Sequence, residues 1–576
     1  MVRPKICKQL LSWGNLWLIF KSHLSTSAPA ILTMIRRALP IFIFLFAAIL
    51  PSYAQIFGLK RLLIAESEEA VLALADDVGD GAQVYVEGVP ALLEGEFNAK
   101  VEPLLGRAID GDLLNEIATI IRDHARENDR LLVKISPPTQ NIATGVFRMA
   151  VIVGRYNELQ FDGNRWFSDE LLQNRLGIRP GDEILVSELQ SAIEWANTNP
   201  FRQIKVLVND LEAQPGKADL IVGVQERLPW RFAGSYADDG VAIIGKNRYT
   251  ASIQFGNLFG KDHQGSYQYT TTDNRSLFEG HTLNYQIPLP WRHKLSATGA
   301  YFTANPVFGG GAFSQEGKTI LGNLNYSVPL QHGDEPREIF AGIDFKRTNN
   351  NLEFGGTSVR NTETDTIQAK LGFSTVKRDK LGSWILGSNL NWSPGGIGSR
   401  NSDTAFAVSR PTSRSSYLYG TLSLQRVTKL LHGWQLFNRA YVQLTDTNLL
   451  PGEQLSIGGS RSVRGFDERL FSGDNGFLLS MELQSPLASR RVSLSESNAV
   501  TLSAQIVAFW DSARVYYKKR AIEDLDLPKL ETVGLGLRCK INNNLSFNAD
   551  YGWRISDQLA RNPQDSGGHV RLVVAY

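Results

Sequence analysis

Thr282–Leu289 reads T-L-N-Y-Q-I-P-L. Leu283, Tyr285, Ile287 and Leu289 fall on one face of an extended chain. Thr282, Asn284 and Gln286 fall on the other. Side chains alternate across a strand, so this pattern predicts a strand with one apolar and one polar face. The same texture runs from Leu228 to Tyr576. Its segments, about 8 to 14 residues each, are split by clusters of Gly, Asn, Asp, Ser and Pro. Aromatic residues close several of them, as at Tyr301-Phe302, Trp392 and Trp553, which fits the girdles of a membrane barrel. Sixteen candidate strands start between Trp230 and His569, the eleventh, twelfth and thirteenth near Trp434, Phe477 and Ala499. An even number suits a closed bacterial barrel. The chain closes on HVRLVVAY, with Val570, Leu572, Val574 and Tyr576 sharing one face. The expected fold is a membrane β-barrel of sixteen antiparallel strands over 228–576. A pair of soluble β-sandwiches is the competing reading.

Composition is compatible with this. The chain has 576 residues, 60 Lys and Arg against 58 Asp and Glu, and a net charge of +2. That balance lacks the basic stripe of a nucleic-acid binder. A hydrophobic fraction of 43% and a mean hydropathy of -0.17 exclude a polytopic helical membrane protein. They do not exclude a barrel, whose alternation averages out. Cys7 and Cys539 are the only cysteines, so no disulfide framework is expected. Ala38–Leu50 is one apolar run, preceded by Arg36-Arg37 and followed by Ser52-Tyr53-Ala54. Basic, apolar and small residues in that order predict a secretory signal over 1–54, cleaved after Ala54. A membrane anchor is the alternative, and Met34 is an alternative start.

Two stretches between these regions share a pattern. LLGRAIDGDLLNEIATIIRDHAREN (Leu104–Asn128) parallels RLGIRPGDEILVSELQSAIEWANTN (Arg175–Asn199). Leu113, Leu114, Ile117 and Ile121 recur at helical spacing. A short strand and a Gly precede each stretch, and two alternating strands follow it. The order β-α-α-β-β thus occurs twice, over 82–155 and 156–227, as small sheets with helices on one face. The second copy carries Phe161-Asp162-Gly163-Asn164, Asn197-Thr198-Asn199-Pro200-Phe201-Arg202 and Gln225-Glu226-Arg227. With these motifs the repeat resembles the POTRA domain. Pro137-Pro138-Thr139-Gln140-Asn141 resembles a turn of the first POTRA in two-partner secretion (TpsB) transporters. A sheet edge in such a domain can accept an extended peptide as an added strand. A generic α/β spacer is the competing reading. The leader 55–81 holds Leu62–Val78, with Leu63, Ala70 and Leu74 at helical spacing. Its short distance to the first POTRA strand argues against a plug helix in the barrel and for a cap on that domain.

The long polar gap between the eleventh and twelfth strands contains Val463-Arg464-Gly465-Phe466. This resembles the V-R-G-[YF] motif of the inward-folded sixth loop of POTRA-barrel transporters. Gly473-Asp474-Asn475-Gly476 and Ser480-Met481-Glu482-Leu483-Gln484-Ser485-Pro486 follow, and Phe509-Trp510-Asp511 sits on the thirteenth strand. Together they resemble the TpsB pattern of the ShlB/FhaC/HecB family, over about residue 82 to the end. The resemblance implies that Arg464 pairs with Asp511 beside Phe509 and pins the loop tip to the wall. Gly465 would let the tip turn tightly. A solvated arginine in an outer loop is the competing reading. The resemblance also implies an outer-membrane translocator with POTRA domains in the periplasm. Its partners would be a secreted TpsA-like exoprotein of haemolysin or adhesin type, bound by strand addition, the outer-membrane lipids, and the barrel-assembly machinery for insertion. Val570, Leu572, Val574 and Tyr576 would form the C-terminal targeting strand. An insertase of the same superfamily and a passive porin are the alternatives. No hydrolase, nucleotide or zinc-protease motif occurs. No enzyme activity, cofactor, metal or nucleic-acid partner is expected.

Overall fold

The computed structural model describes residues 57–576, apart from 80–82, 94–95, 212–213, 309–312, 331–334, 355–356, 494–498, 521–526 and 557–564. The expected signal, 1–54, lies outside them. The described chain forms two compact units.

The first unit is built on a four-stranded sheet. Its order is Val84–Glu87, Arg61–Ala65, Val146–Val153, Val133–Ser136. The helix expected over Leu62–Val78 is replaced there by a strand and a short helix, Glu68–Ala73. Leu62, Leu63 and Ile64 are fully buried. An uninterrupted apolar run suits a strand covered on both faces, and periodicity alone cannot tell that from a helix. Ser67 then caps the helix, its Oγ accepting from the Ala70 N–H at 3.1 Å. The leader therefore supplies a central strand, parallel to both neighbours.

The second unit opens with a three-stranded sheet, ordered Arg155–Asp162, Lys217–Glu226, Arg202–Asp210. Helices Asp169–Leu176 and Val186–Ala196 bury Leu172, Leu176, Leu189 and Ala192 against it. A closed antiparallel barrel follows, of sixteen staves from Trp230–Ala237 to Ser566–Ala575. The last stave pairs with the first, Leu572 opposite Tyr236 and Val574 opposite Gly234. Tyr576 completes the seam, its N–H donating to Phe232 O at 2.9 Å. On the fourteenth stave, Leu530–Ile541, Val533, Leu535 and Leu537 face outward and are exposed, whereas Thr532 is buried inside. Outward apolar and inward polar residues are what a lipid-embedded barrel needs. The eighth stave, Thr357–Asp379, runs for 23 residues. It is more than twice the roughly 10 residues that cross the membrane, so its ends project beyond the apolar band.

The three-stranded sheet is fastened to the barrel through one buried carboxylate. Asp262, in the turn between the second and third staves (Arg248–Leu258 and His263–Thr271), is clamped by Arg202, whose Nη2 lies 2.9 Å from Oδ2 and whose Nη1 meets Oδ1. Arg175 Nε lies 2.9 Å from the same carboxylate, and Asn199 Nδ2 donates to it at 2.7 Å. Arg292, in the turn between the fourth and fifth staves, donates to Ser191 Oγ at 2.7 Å. Antiparallel connections alternate between the two ends of a barrel. The loop between the eleventh and twelfth staves therefore lies at the end opposite this sheet.

Candidate functional site

That loop joins Gln435–Thr445 to Asn475–Gln484. Its limbs form a short ladder, Leu455–Ile457 against Phe471–Gly473. At the tip, Val463 and Phe466 are buried in an apolar cluster with Leu478, Ala513, Val515 and Leu530, from the inner faces of staves twelve to fourteen. The tip has folded into the barrel, and apolar contact anchors it.

Between these two anchors lies Arg464, 5% exposed. Its Nε donates to Asp511 Oδ2 at 2.7 Å and its Nη2 to Oδ1 at 2.8 Å. A forked guanidinium matches a carboxylate in this way and fixes orientation as well as distance. Nη1 reaches Glu482 Oε1 at 2.6 Å, and the Arg464 backbone N–H also donates to Asp511, at 3.2 Å. Ser480 Oγ donates to Asp511 Oδ1 at 2.6 Å. The guanidinium carbon lies 3.6 Å from the centre of the Phe509 ring, a cation–π contact. Burial disfavours the charge on Arg464, but Asp511, Glu482 and Asp550 outweigh it, and its pKa lies above the ordinary arginine value. The guanidinium is thus charged at any physiological pH.

Gly465 has φ +86, and a Cβ there would lie 2.7 Å from Gly552 O. Gly567 is constrained by space alone, since a Cβ there would lie 2.6 Å from Gly465 O. Two wall glycines thus allow the loop backbone to touch the wall backbone. The Gly465 N–H donates to His569 Nε2 at 3.1 Å, and Arg554 Nε donates to Gly465 O at 2.6 Å.

The structure brings Val463, Arg464, Gly465, Phe466, Phe509 and Asp511 together. It places Val570, Leu572, Val574 and Tyr576 elsewhere, along the closing seam. Glu482 and Ser480 stood in the sequence only as letters of a motif. Asp550, His569, Arg554, Gly552 and Gly567 carried no signal, because single residues on separate strands have no local pattern. A second tie was also missed. Asp474, fully buried at the loop base, takes a forked pair from Arg410 at 2.5 and 3.0 Å. Arg410 follows helix Asp403–Ser409 in the loop between the ninth and tenth staves.

A family model described as haemolysin secretion/activation protein ShlB/FhaC/HecB matches residues 216–539, more than half of the chain. The chain belongs to this family. Among its relatives, the outer membrane transporter CdiB of Dickeya dadantii (strain 3937) is 21% identical over 344 residues, 58% of this chain. The hemolysin transporter protein HpmB of Proteus mirabilis is 24% identical over 433 residues, 72% of this chain. The chain spans 60% of the first relative's length and 73% of the second's. Among solved structures, CdiB from Escherichia coli matches with a TM-score of 0.70 at 14% identity, covering 96% of this chain and all of that one. CdiB from Acinetobacter baumannii matches at 0.60 and 17% identity, covering 96% of this chain and 100% of that chain. These likenesses share the fold of a barrel preceded by POTRA domains. This ShlB/FhaC/HecB-family chain is an outer-membrane barrel whose POTRA domains face the periplasm.

Proposed function

We propose that this chain is a two-partner secretion translocator. It takes an unfolded exoprotein in the periplasm by strand addition and passes it outward through the barrel. The locked loop carries the reading: Arg464 holds a lumen-filling segment by a few directional contacts that one local rearrangement releases. Cargo of haemolysin or adhesin type fits the family. Folding of the cargo outside would drive transit, since no nucleotide motif is present.

For strand addition, Arg202–Asp210 is the longest edge, with nine residues and a strand partner on one side only; the other edge of that sheet, Arg155–Asp162, has eight residues and is bridged at its start by the 181–183 segment. The free edges of the first sheet, Val84–Glu87 and Val133–Ser136, have four residues each. Asn197 already satisfies the outward groups of Ile204, at 2.6 and 3.0 Å. By alternation, the N–H groups of Val206 and Val208 point the same way and are open to a guest strand.

The deletion secretome tests the proposal. Loss of a single large exoprotein is expected. Loss of many outer-membrane barrels would show an insertase instead, and ion conductance with an intact secretome would show a porin. Removing one partner of a buried pair costs about 3–5 kcal/mol. Arg464→Ala should therefore reduce secretion more than it lowers barrel abundance on immunoblots, and equal loss of both would sink the lock.

A further inference from the structure

The loop tip leans on staves twelve to sixteen. Between the loop and the opposite wall is a cavity of about 680 Å³. Five arginines line it: Arg248, Arg439, Arg461, Arg469 and Arg571. Two carboxylates face them. Asp239 pairs with Arg571 at 2.9 Å and lies 3.9 Å from Arg461. Glu468 accepts the Ser460 N–H at 2.6 Å. Among the described residues, no carboxylate lies within ion-pair distance of Arg248, Arg439 or Arg469. Arg248 Nη1 and Arg439 Nη2 instead donate to the carbonyls of Gly245 and Arg461, both at 2.7 Å. Two further groups on this lining are buried without a hydrogen-bond partner: Arg439 Nε and the hydroxyl of Ser462, a residue 8% exposed. Five guanidinium groups around one open cavity, three of them with no carboxylate within ion-pair distance among the described residues, call for an acceptor that carries negative charge.

We propose that this cavity is an anion site that takes carboxylate groups, and that its natural ligands are acidic side chains of the polypeptide in transit. The second half rests on the translocator reading, but the site itself does not. The arginines line the part of the lumen that the loop leaves open, so a passing extended chain would meet them. The excess of positive charge, five arginines against two carboxylates, would also slow the passage of Lys- and Arg-rich segments by repulsion.

Fluorescently labelled hexaglutamate, titrated into the purified full-length chain in detergent and followed by anisotropy, is the direct test. Binding is expected, weakening as salt rises. Arg439→Gln with Arg461→Gln should weaken it about tenfold or more, since each removes a charged donor. Arg461→Gln alone keeps the test valid if the double variant fails to fold, because that side chain is 74% exposed. Arg231→Gln, outside this cavity, should change nothing. No binding, equal binding of hexalysine, or unchanged affinity in Arg461→Gln would overturn the proposal. Binding that meets these expectations, beside a deletion secretome with nothing missing, would uphold the anion site and remove the translocator reading alone.

Discussion

At the residue scale, Gly465 tests the lock most sharply. It sits at φ +86 with the wall backbone inside contact distance, so Gly465→Ala adds both strain and a clash. The loop tip should leave the wall while Arg464 and Asp511 keep their chemistry. Limited proteolysis of the 446–474 loop should accelerate in this variant, and unchanged cleavage would show a wall that yields. Asp511→Asn poses the complementary question. It keeps the shape and removes the charge that holds Arg464, and about 3–5 kcal/mol is at stake for a buried pair broken on one side. It should open the loop to the same protease. The pair itself was legible in the chain, because Val463–Phe466 and Phe509–Asp511 are local motifs. Glu482, which also holds Arg464, was legible as a motif letter without a role. His569 and Arg554 were not, since their contact with Gly465 exists only once the barrel closes.

Between residue and molecule, the elements show how the parts are joined. Asp262 meets Arg175, Arg202 and Asn199 from the preceding sheet. Removing it leaves two buried guanidinium groups uncompensated. Asp262→Ala should therefore loosen the second POTRA domain from the barrel, read as faster hydrogen exchange at Phe201–Gln203, with the barrel still intact on a heat-modifiability gel. Unchanged exchange would show that apolar contact, such as Phe201 against Gly256, suffices. Val206→Pro addresses strand addition. Its N–H points away from the sheet, so proline removes a donor that only a guest strand would use. Secretion should fall while the variant accumulates normally, and normal secretion would argue against this edge. The helices and strands of the second POTRA follow the order read from periodicity. The first unit departs from it because Leu62–Ala65 is an apolar run without alternation, and only the sheet it joins decides its state.

Taken whole, the molecule hides its membrane face in every second residue. Leu535 points to lipid from the fourteenth stave, and Leu535→Arg should destabilise the barrel by about 2–4 kcal/mol if it lies near the midplane. A denaturant titration in detergent or lipid would measure this, and a negligible change would place the residue at the interface. The sixteen staves, the order of elements in the second POTRA and the loop and wall motifs were determined by the sequence alone. Alternation, helical spacing and contiguous motifs are local properties, and a chain carries them whether or not it is folded. The tertiary structure decided where the leader strand pairs, that Asp262 gathers its three partners, that Asp474 ties two loops together, and that arginines from different staves line one cavity. Those facts depend on pairing, closing and docking whole elements, which bring together residues from tens to hundreds of positions apart, with no shared local pattern to announce them.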